Sequence, residues 1–223
     1  MQSEVMFAGF GGQGILLIGK ILAHTAMEEG FEVAWVPSYG PEMRGGTAYC
    51  TVVISDRQIG SPIIRNPMHL VAMNRPSLEK FAPTVKPGGV ILINSSLISI
   101  RSQRSDVDEL VVPVNDIAKK LGNVRAANIV ALAAFVARSK VVDFDLMRES
   151  IKKEFAKKSK FIPLNMEAVE QGKRAAIGNE PQKRAHSPQL AAGLASESEN
   201  SKLPYGRSSP QLVAGNFNKG IEK

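Results

Sequence analysis

The chain has 223 residues, 43% of them hydrophobic, with 28 basic and 21 acidic side chains and a formal net charge of +7. That length allows a full hydrophobic core. A lone cysteine, Cys50, excludes an internal disulfide and any iron–sulfur cluster or all-cysteine metal site made by this chain alone.

The first strand is expected at about Glu4 to Ala8, and the first helix from about Gly12 to Glu29, with Gly30 where a left-handed cap is wanted. Apolar residues cover most of that helix, while Lys20, His24 and Glu28 form one polar line at four-residue spacing. Strands follow at Glu32 to Val36, Thr47 to Ile54, Met68 to Met73, Gly89 to Ile93 and Glu109 to Val112, with a short helix at Pro76 to Phe81. Four helices close the pattern: Asn115 to Leu121, Ala126 to Arg138, Asp145 to Lys157 and Pro163 to Ala176. Asn115 and Asp143 read as helix caps, because a short side-chain acceptor satisfies the first free amides. Short, continuously apolar strands alternating with helices give an α/β fold class: a Rossmann-like three-layer domain with a mostly parallel sheet. Thr47 to Ile54 follows the second strand without a helix, so an irregular strand order is expected there.

From Gly178 onward the text turns rich in Pro, Ser, Gly, Asn and Lys. The reading is one globular domain over residues 1–178 and a low-complexity, disordered tail over 179–223. The tail carries +2 of the charge and the domain +5. It repeats Ser187-Pro188-Gln189-Leu190-Ala191-Ala192-Gly193 as Ser209-Pro210-Gln211-Leu212-Val213-Ala214-Gly215. Two copies make no stacked repeat architecture, which leaves a local duplication or a docking motif used twice. The basic run from Lys152 to Lys160 lacks interleaved stacking residues beyond Phe155 and Phe161, so a solvated helix face or subunit-docking surface is expected rather than nucleic acid. No secretory leader is read, and Ile129 to Ala137 is too short to span a bilayer. The expectation is a cytoplasmic chain with no membrane partner.

Chemistry concentrates in two loops. Gly9-Phe10-Gly11-Gly12-Gln13-Gly14 fits G-x-G-x-x-G between strand and helix, where glycine permits a tight turn and close backbone approach. The free amides at a helix start carry about half a positive elementary charge and favour an anion. Phosphate contact and a purely structural turn both fit. A dinucleotide site wants an acid near the end of the second strand, yet that place reads Val36-Pro37-Ser38. The second loop, Ser38-Tyr39-Gly40-Pro41-Glu42-Met43-Arg44-Gly45-Gly46, holds a cation able to grip a phosphate or carboxylate. Glu42 and Arg44 alternatively pair with a neighbouring subunit, and Tyr39 stacks on a base or covers the loop. The histidines show no metal-ligand spacing, and Cys50 on its apolar strand reads as a buried small residue rather than a nucleophile. Asn128 reads as a cap or a bridge to a loop. A non-catalytic structural adaptor and a free-standing nucleotide-binding oxidoreductase remain alternatives.

The two loops and their spacing resemble the gamma subunit, or gamma domain, of 2-oxoacid:ferredoxin oxidoreductases, with further likeness at Ile54-Ser55-Asp56, Ser61-Pro62, Leu121-Gly122-Asn123 and Ala127-Asn128. The likeness covers most of residues 1–178 and is nearest the 2-oxoglutarate-type chain. Relatives often have glycine where Ala133 stands. The resemblance implies a multi-subunit enzyme that decarboxylates a 2-oxoacid on thiamine diphosphate, reduces ferredoxin and captures the acyl group on coenzyme A. It further implies alpha, beta and ferredoxin-like delta partners carrying the thiamine diphosphate, Mg and iron–sulfur clusters, since this chain shows neither a Gly-Asp-Gly segment nor cluster cysteines. Assembly and coenzyme A contact are what it leaves to this chain, with no catalytic or metal residue. The cofactor-binding set implied is Gly9, Gly11, Gly12, Gln13 and Gly14 of the first loop. Ser38, Tyr39, Glu42 and Arg44 of the second complete it.

Overall fold

The computed structural model describes residues 2–39 and 46–178. The expected tail, Glu42 and Arg44 lie outside these residues. Six strands form one sheet: β1 (Gln2–Phe10), β2 (Glu32–Tyr39), β3 (Thr47–Ser55), β4 (His69–Ala72), β5 (Val90–Asn94) and β6 (Asp108–Val112). Their spatial order is β2-β3-β1-β4-β5-β6. β3 runs antiparallel to both β1 and β2, and the β1–β4, β4–β5 and β5–β6 pairs are parallel. The sheet is thus mostly parallel, and the irregularity expected at β3 is its insertion, reversed, between β1 and β2. Without a crossover helix after β2, the chain has only a hairpin-type return available, which is necessarily antiparallel.

Helices cover both faces: α1 (Ile15–Glu28), α2 (Arg75–Phe81), α3 (Val114–Lys120), α4 (Ala127–Ser139), α5 (Phe144–Glu154) and α6 (Ile162–Gly178). Alternation along β1 divides the core. Val5 and Phe7 join Val52, Val71 and Leu92 beneath α1 and α4, while Met6 and Ala8 join Leu70, Ile91 and Ile93 beneath Leu78 and Phe81 of α2. In α4 every residue from Ala127 to Val136 is buried, as expected of a helix sandwiched between a sheet and a further helix. Lys20 and Glu28 of α1 do not face solvent alone. They pair with Glu154 (3.0 Å) and Lys153 (2.7 Å) of α5, so part of the basic run locks two helices together.

Several boundaries differ from expectation for identifiable reasons. α1 begins at Ile15 rather than Gly12, because Gly12 (φ +97°) and Gly14 (φ +75°) hold left-handed conformations no α-helix contains. Gly30 does cap that helix, at φ +87°. β2 continues through Pro37 to Tyr39, which its edge position permits. α5 ends at Glu154, and residues 156–161 form a separate 3₁₀ segment broken at Lys158 (φ −129°, ψ 50°). Asp143 caps α5, its carboxylate accepting from the Leu146 amide at 2.9 Å. Asn115 does not cap α3. It lies inside the helix, and the Asp116 amide donates instead to Ser96 Oγ at 3.0 Å.

His69 sits 8% exposed at the start of β4, its Nδ1 accepting from the Val90 amide at 3.0 Å and its ring edge-on to Phe135. Burial pushes its pKa down to about 4, against a smaller upward pull from Glu4. The unfolded chain therefore binds this proton before the folded one does. The stabilisation is complete above the ordinary histidine pKa and is lost as pH falls toward 4, about 3 kcal/mol in all. His69→Gln, which keeps an acceptor, is expected to flatten the fall in urea stability between pH 7 and 4.5. An equally steep fall in that variant would assign the acid sensitivity elsewhere.

Candidate functional site

The glycine loop leaves β1 at the carboxyl edge of the sheet and is tied in place by its own glutamine. Gln13 Oε1 accepts from the Phe10 amide at 2.6 Å, while Gln13 Nε2 donates to the Met73 carbonyl at the end of β4, 3.3 Å away. The same Met73 carbonyl accepts from Asn94 Nδ2 (3.2 Å), which also donates to Asn115 Oδ1 (2.8 Å). One carbonyl thus joins the ends of β1, β4 and β5. Gly9 must be small, since a Cβ would come within 2.5 Å of Gln13 Oε1 and 2.9 Å of Ile15 Cδ1. The two loops meet where the Gly11 amide donates to the Gly46 carbonyl at 2.9 Å.

Because both polar ends of Gln13 are used within the protein, Gln13 acts as a brace rather than a free ligand group. Gln13→Ala removes two hydrogen bonds of about 1 kcal/mol each. A loss of roughly 1–2 kcal/mol in chemical denaturation is expected; an unchanged midpoint would show that the loop does not depend on the brace.

α1 follows directly on Gly14, with no side-chain cap and no acid in its first turn. Its leading amides are therefore open to an external acceptor. They border a cavity of about 430 Å³ lined by Gly12, Gln13, Gly14, Leu17 and Met73, and by residues 123–128, 155–165 and Asn115 in part. That volume falls within the ~300–1,000 Å³ usual for small-molecule sites. Arg125 and Lys158 line it, and no acidic residue does among the described residues. Phe155, Phe161 and Leu164 supply an apolar wall. Asn128 at the start of α4 donates through Nδ2 to the Gly14 carbonyl at 3.4 Å, the bridge to a loop foreseen for it. Asn165 of α6 is 4% exposed, and its Nδ2 has no acceptor.

Of the expected cofactor residues, Gly12, Gln13 and Gly14 border this cavity, with Gly9 and Gly11 shaping the turn behind them. Ser38 does not line it. The inserted β3 separates the end of β2 from the glycine loop. This separation also weighs against a dinucleotide reading, in which the second strand's end lies beside the loop. Glu42 and Arg44 lie outside the described residues. Sequence reasoning missed Asn115, Asn123, Arg125, Lys158 and Asn165. Only Asn123, adjoining Arg125, stood in a segment of recognisable likeness. Cys50 is fully buried, its Sγ donating to the Ile15 carbonyl at 3.6 Å, and burial raises its pKa to about 12. It is a packed thiol, not a nucleophile.

Residues 4–175 match the family described as pyruvate ferredoxin/flavodoxin oxidoreductase. The chain is 45% identical over 170 residues to the ketoisovalerate oxidoreductase subunit VorA of Methanothermobacter thermautotrophicus, covering 76% of this chain and 35% of that protein. It therefore spans about a third of that relative's length. It is 36% identical over 154 residues to the 2-oxoglutarate synthase subunit KorC of Methanocaldococcus jannaschii, covering 68% of this chain and 82% of that one. Among solved structures, the gamma subunit of a keto/oxoacid ferredoxin oxidoreductase from Geobacter sulfurreducens superposes with a TM-score of 0.69 at 31% identity. That match covers 79% of this chain and 99% of the other.

Proposed function

The chain belongs to the pyruvate ferredoxin/flavodoxin oxidoreductase family, and we propose that it serves as the gamma subunit of a multi-subunit 2-oxoacid:ferredoxin oxidoreductase. Its own part in that enzyme is assembly and the holding of coenzyme A by the glycine-loop cavity. The observation that carries this is the uncapped start of α1 opening into a cavity with two cations and, among the described residues, no acid. A polyanionic cosubstrate suits those residues: the Gly12–Gly14 turn lets phosphate oxygens reach backbone amides, and the orphaned Asn165 Nδ2 wants an acceptor.

An iron–sulfur cluster does not fit this chain, whose single thiol is buried and protonated, and we assign thiamine diphosphate and Mg, with the clusters, to other subunits. They belong on alpha, beta and ferredoxin-like delta partners, with ferredoxin as acceptor. Coenzyme A supplies the thiol that takes the acyl group. This chain's contribution is to grip its anionic end and orient it toward the partners.

For the acid itself, the higher identity to a ketoisovalerate subunit supports a branched-chain 2-oxoacid. A second reading, 2-oxoglutarate, rests on the two loops and on the near full-length match to a 2-oxoglutarate synthase subunit. Gly12→Asp places a carboxylate at the start of α1, and Gly12→Asn places a neutral side chain of the same shape in the same left-handed turn. In the complex purified through this chain, coenzyme A affinity is expected to fall at least about tenfold more in the Asp variant, a difference of about 1.4 kcal/mol. Equal affinity in the two variants would remove the loop from the coenzyme A site.

A further inference from the structure

The connection between α5 and α6 is built differently from the helices it joins. Residues 156–161 form a 3₁₀ segment with no buried residue, while Ile151 before it and Asn165 after it are buried. The segment is itself broken at Lys158, whose φ −129° and ψ 50° lie outside the helical range. Phe155, Lys158 and Phe161 line the cavity beside the glycine loop. Resting on the reading of that cavity as a coenzyme A site, we infer that residues 156–161 are a strap. It closes over the cavity when the cavity is filled and opens to release the occupant.

The ends of the strap are fixed and its middle is not. α5 is tied to α1 by Lys20–Glu154 (3.0 Å) and Lys153–Glu28 (2.7 Å), and to α6 by Arg148–Glu170 (3.5 Å). Lys173 of α6 also lies over the Phe144 ring, 4.7 Å from its centre. Phe155 and Leu164, on either side of the strap, pack against the main core. Between them, Lys157, Lys158 and Lys160 form no ion pair among the described residues. A 3₁₀ stretch has poorer hydrogen-bond geometry than an α-helix and, within a helical run, often marks a hinge. Local opening costs least where few apolar contacts are buried. This segment can therefore shift while α4, α5 and α6 stay in place.

Apolar contact is what draws it inward. Phe161 is half-buried at the cavity edge. A ligand in the cavity gives that ring a surface to cover, and covering it pulls residues 156–161 toward the occupant. Coenzyme A has to enter before each acyl transfer and leave as the thioester, so its site needs an opening that works once per turnover. A strap hinged at Lys158 supplies one while Gln13 keeps the glycine loop braced.

The test is hydrogen exchange, read by mass spectrometry, on the complex purified through this chain with and without coenzyme A. Binding is followed separately by calorimetry. In the free complex the amides of residues 156–161 are expected to exchange fast, and saturating coenzyme A to slow them about tenfold or more, with α4 unchanged. Phe161→Ala, saturated with coenzyme A, is expected to show that slowing reduced to about threefold or less. Coenzyme A that binds without slowing residues 156–161 overturns the strap and leaves the coenzyme A reading standing. So does undiminished slowing in Phe161→Ala. Residues 156–161 already as protected as α4 in the free complex are a fixed wall, which also overturns the strap. A complex that binds no coenzyme A overturns both.

Discussion

Gly14→Ala is expected to be among the most damaging single-methyl changes available to this chain. Gly14 lies at φ +75°, ψ 23°, a left-handed conformation that costs a residue with a Cβ about 1–2 kcal/mol. The added Cβ also overlaps the Asn128 amide nitrogen, with Asn128 Cβ itself only 3.3 Å away. Asn128 cannot retreat without surrendering its bond to the Gly14 carbonyl. The sum is roughly 2–4 kcal/mol, together with loss of the cavity's glycine edge. Denaturant midpoints and coenzyme A affinity should both fall. In an Asn128→Ala background most of the steric part disappears, leaving chiefly the backbone cost of about 1–2 kcal/mol, so the two changes must be non-additive. Gly12→Ala makes a useful contrast: Gly12 is also left-handed (φ +97°) but a Cβ there meets nothing within 4 Å. A Gly14→Ala protein as stable as the parent would mean that the turn is not held as described.

The second large effect is expected where α6 crosses α4. Gly172 faces α4 so closely that a Cβ would stand 2.5 Å from the Val130 carbonyl and 2.9 Å from Ala133 Cβ. Gly172→Leu must therefore separate the two helices, at a cost of about 3 kcal/mol or more. Asn165 and Leu164 ride on α6 into the cavity wall, so the same shift should weaken coenzyme A binding from a distance. The Val130 carbonyl and Ala133 together explain the demand for glycine at 172. The smaller the residue on α4, the more room α6 has. Gly172→Ala alone should cost about 1–3 kcal/mol, and adding Ala133→Gly should recover part of it, not all, because the Val130 carbonyl stays in place. Full recovery would assign the crowding to Ala133 alone, and no recovery would assign it to the carbonyl.

The strand and helix inventory was legible because periodicity and glycine placement are local signals. Even the anomaly at β3 announced itself, since no helix separates it from β2. What sequence could not display is where that anomaly leads. Inserting β3 beside β1 carries Ser38 and Tyr39 two strands away from the glycine loop, so residues paired by their neighbourhood in the chain part company in space. Conversely, the cavity draws Asn115, Arg125, Lys158 and Asn165 from segments 100 to 150 residues beyond the loop. A lone asparagine near a helix start looks the same whether it caps its own helix or accepts from Asn94 across the sheet end, as Asn115 does. The lysine run looked uniform in one dimension, yet folding spends Lys152 and Lys153 on ion pairs and sets Lys158 into the cavity. Gln13 shows the reverse error of emphasis: a polar residue inside a ligand-type motif turned out to serve the motif's own shape.

Membership of a multi-subunit oxidoreductase is tested by co-expressing this chain with thiamine-binding and ferredoxin-like subunits and purifying the assembly through it. Viologen reduction is then assayed with 2-oxoisovalerate, 2-oxoglutarate and pyruvate, with and without coenzyme A. The expected result is a brown, multi-subunit assembly whose reduction of viologen requires coenzyme A and favours 2-oxoisovalerate or 2-oxoglutarate. A colourless chain that recovers no partner, or an active assembly indifferent to coenzyme A and to the Gly14→Ala change, would contradict it.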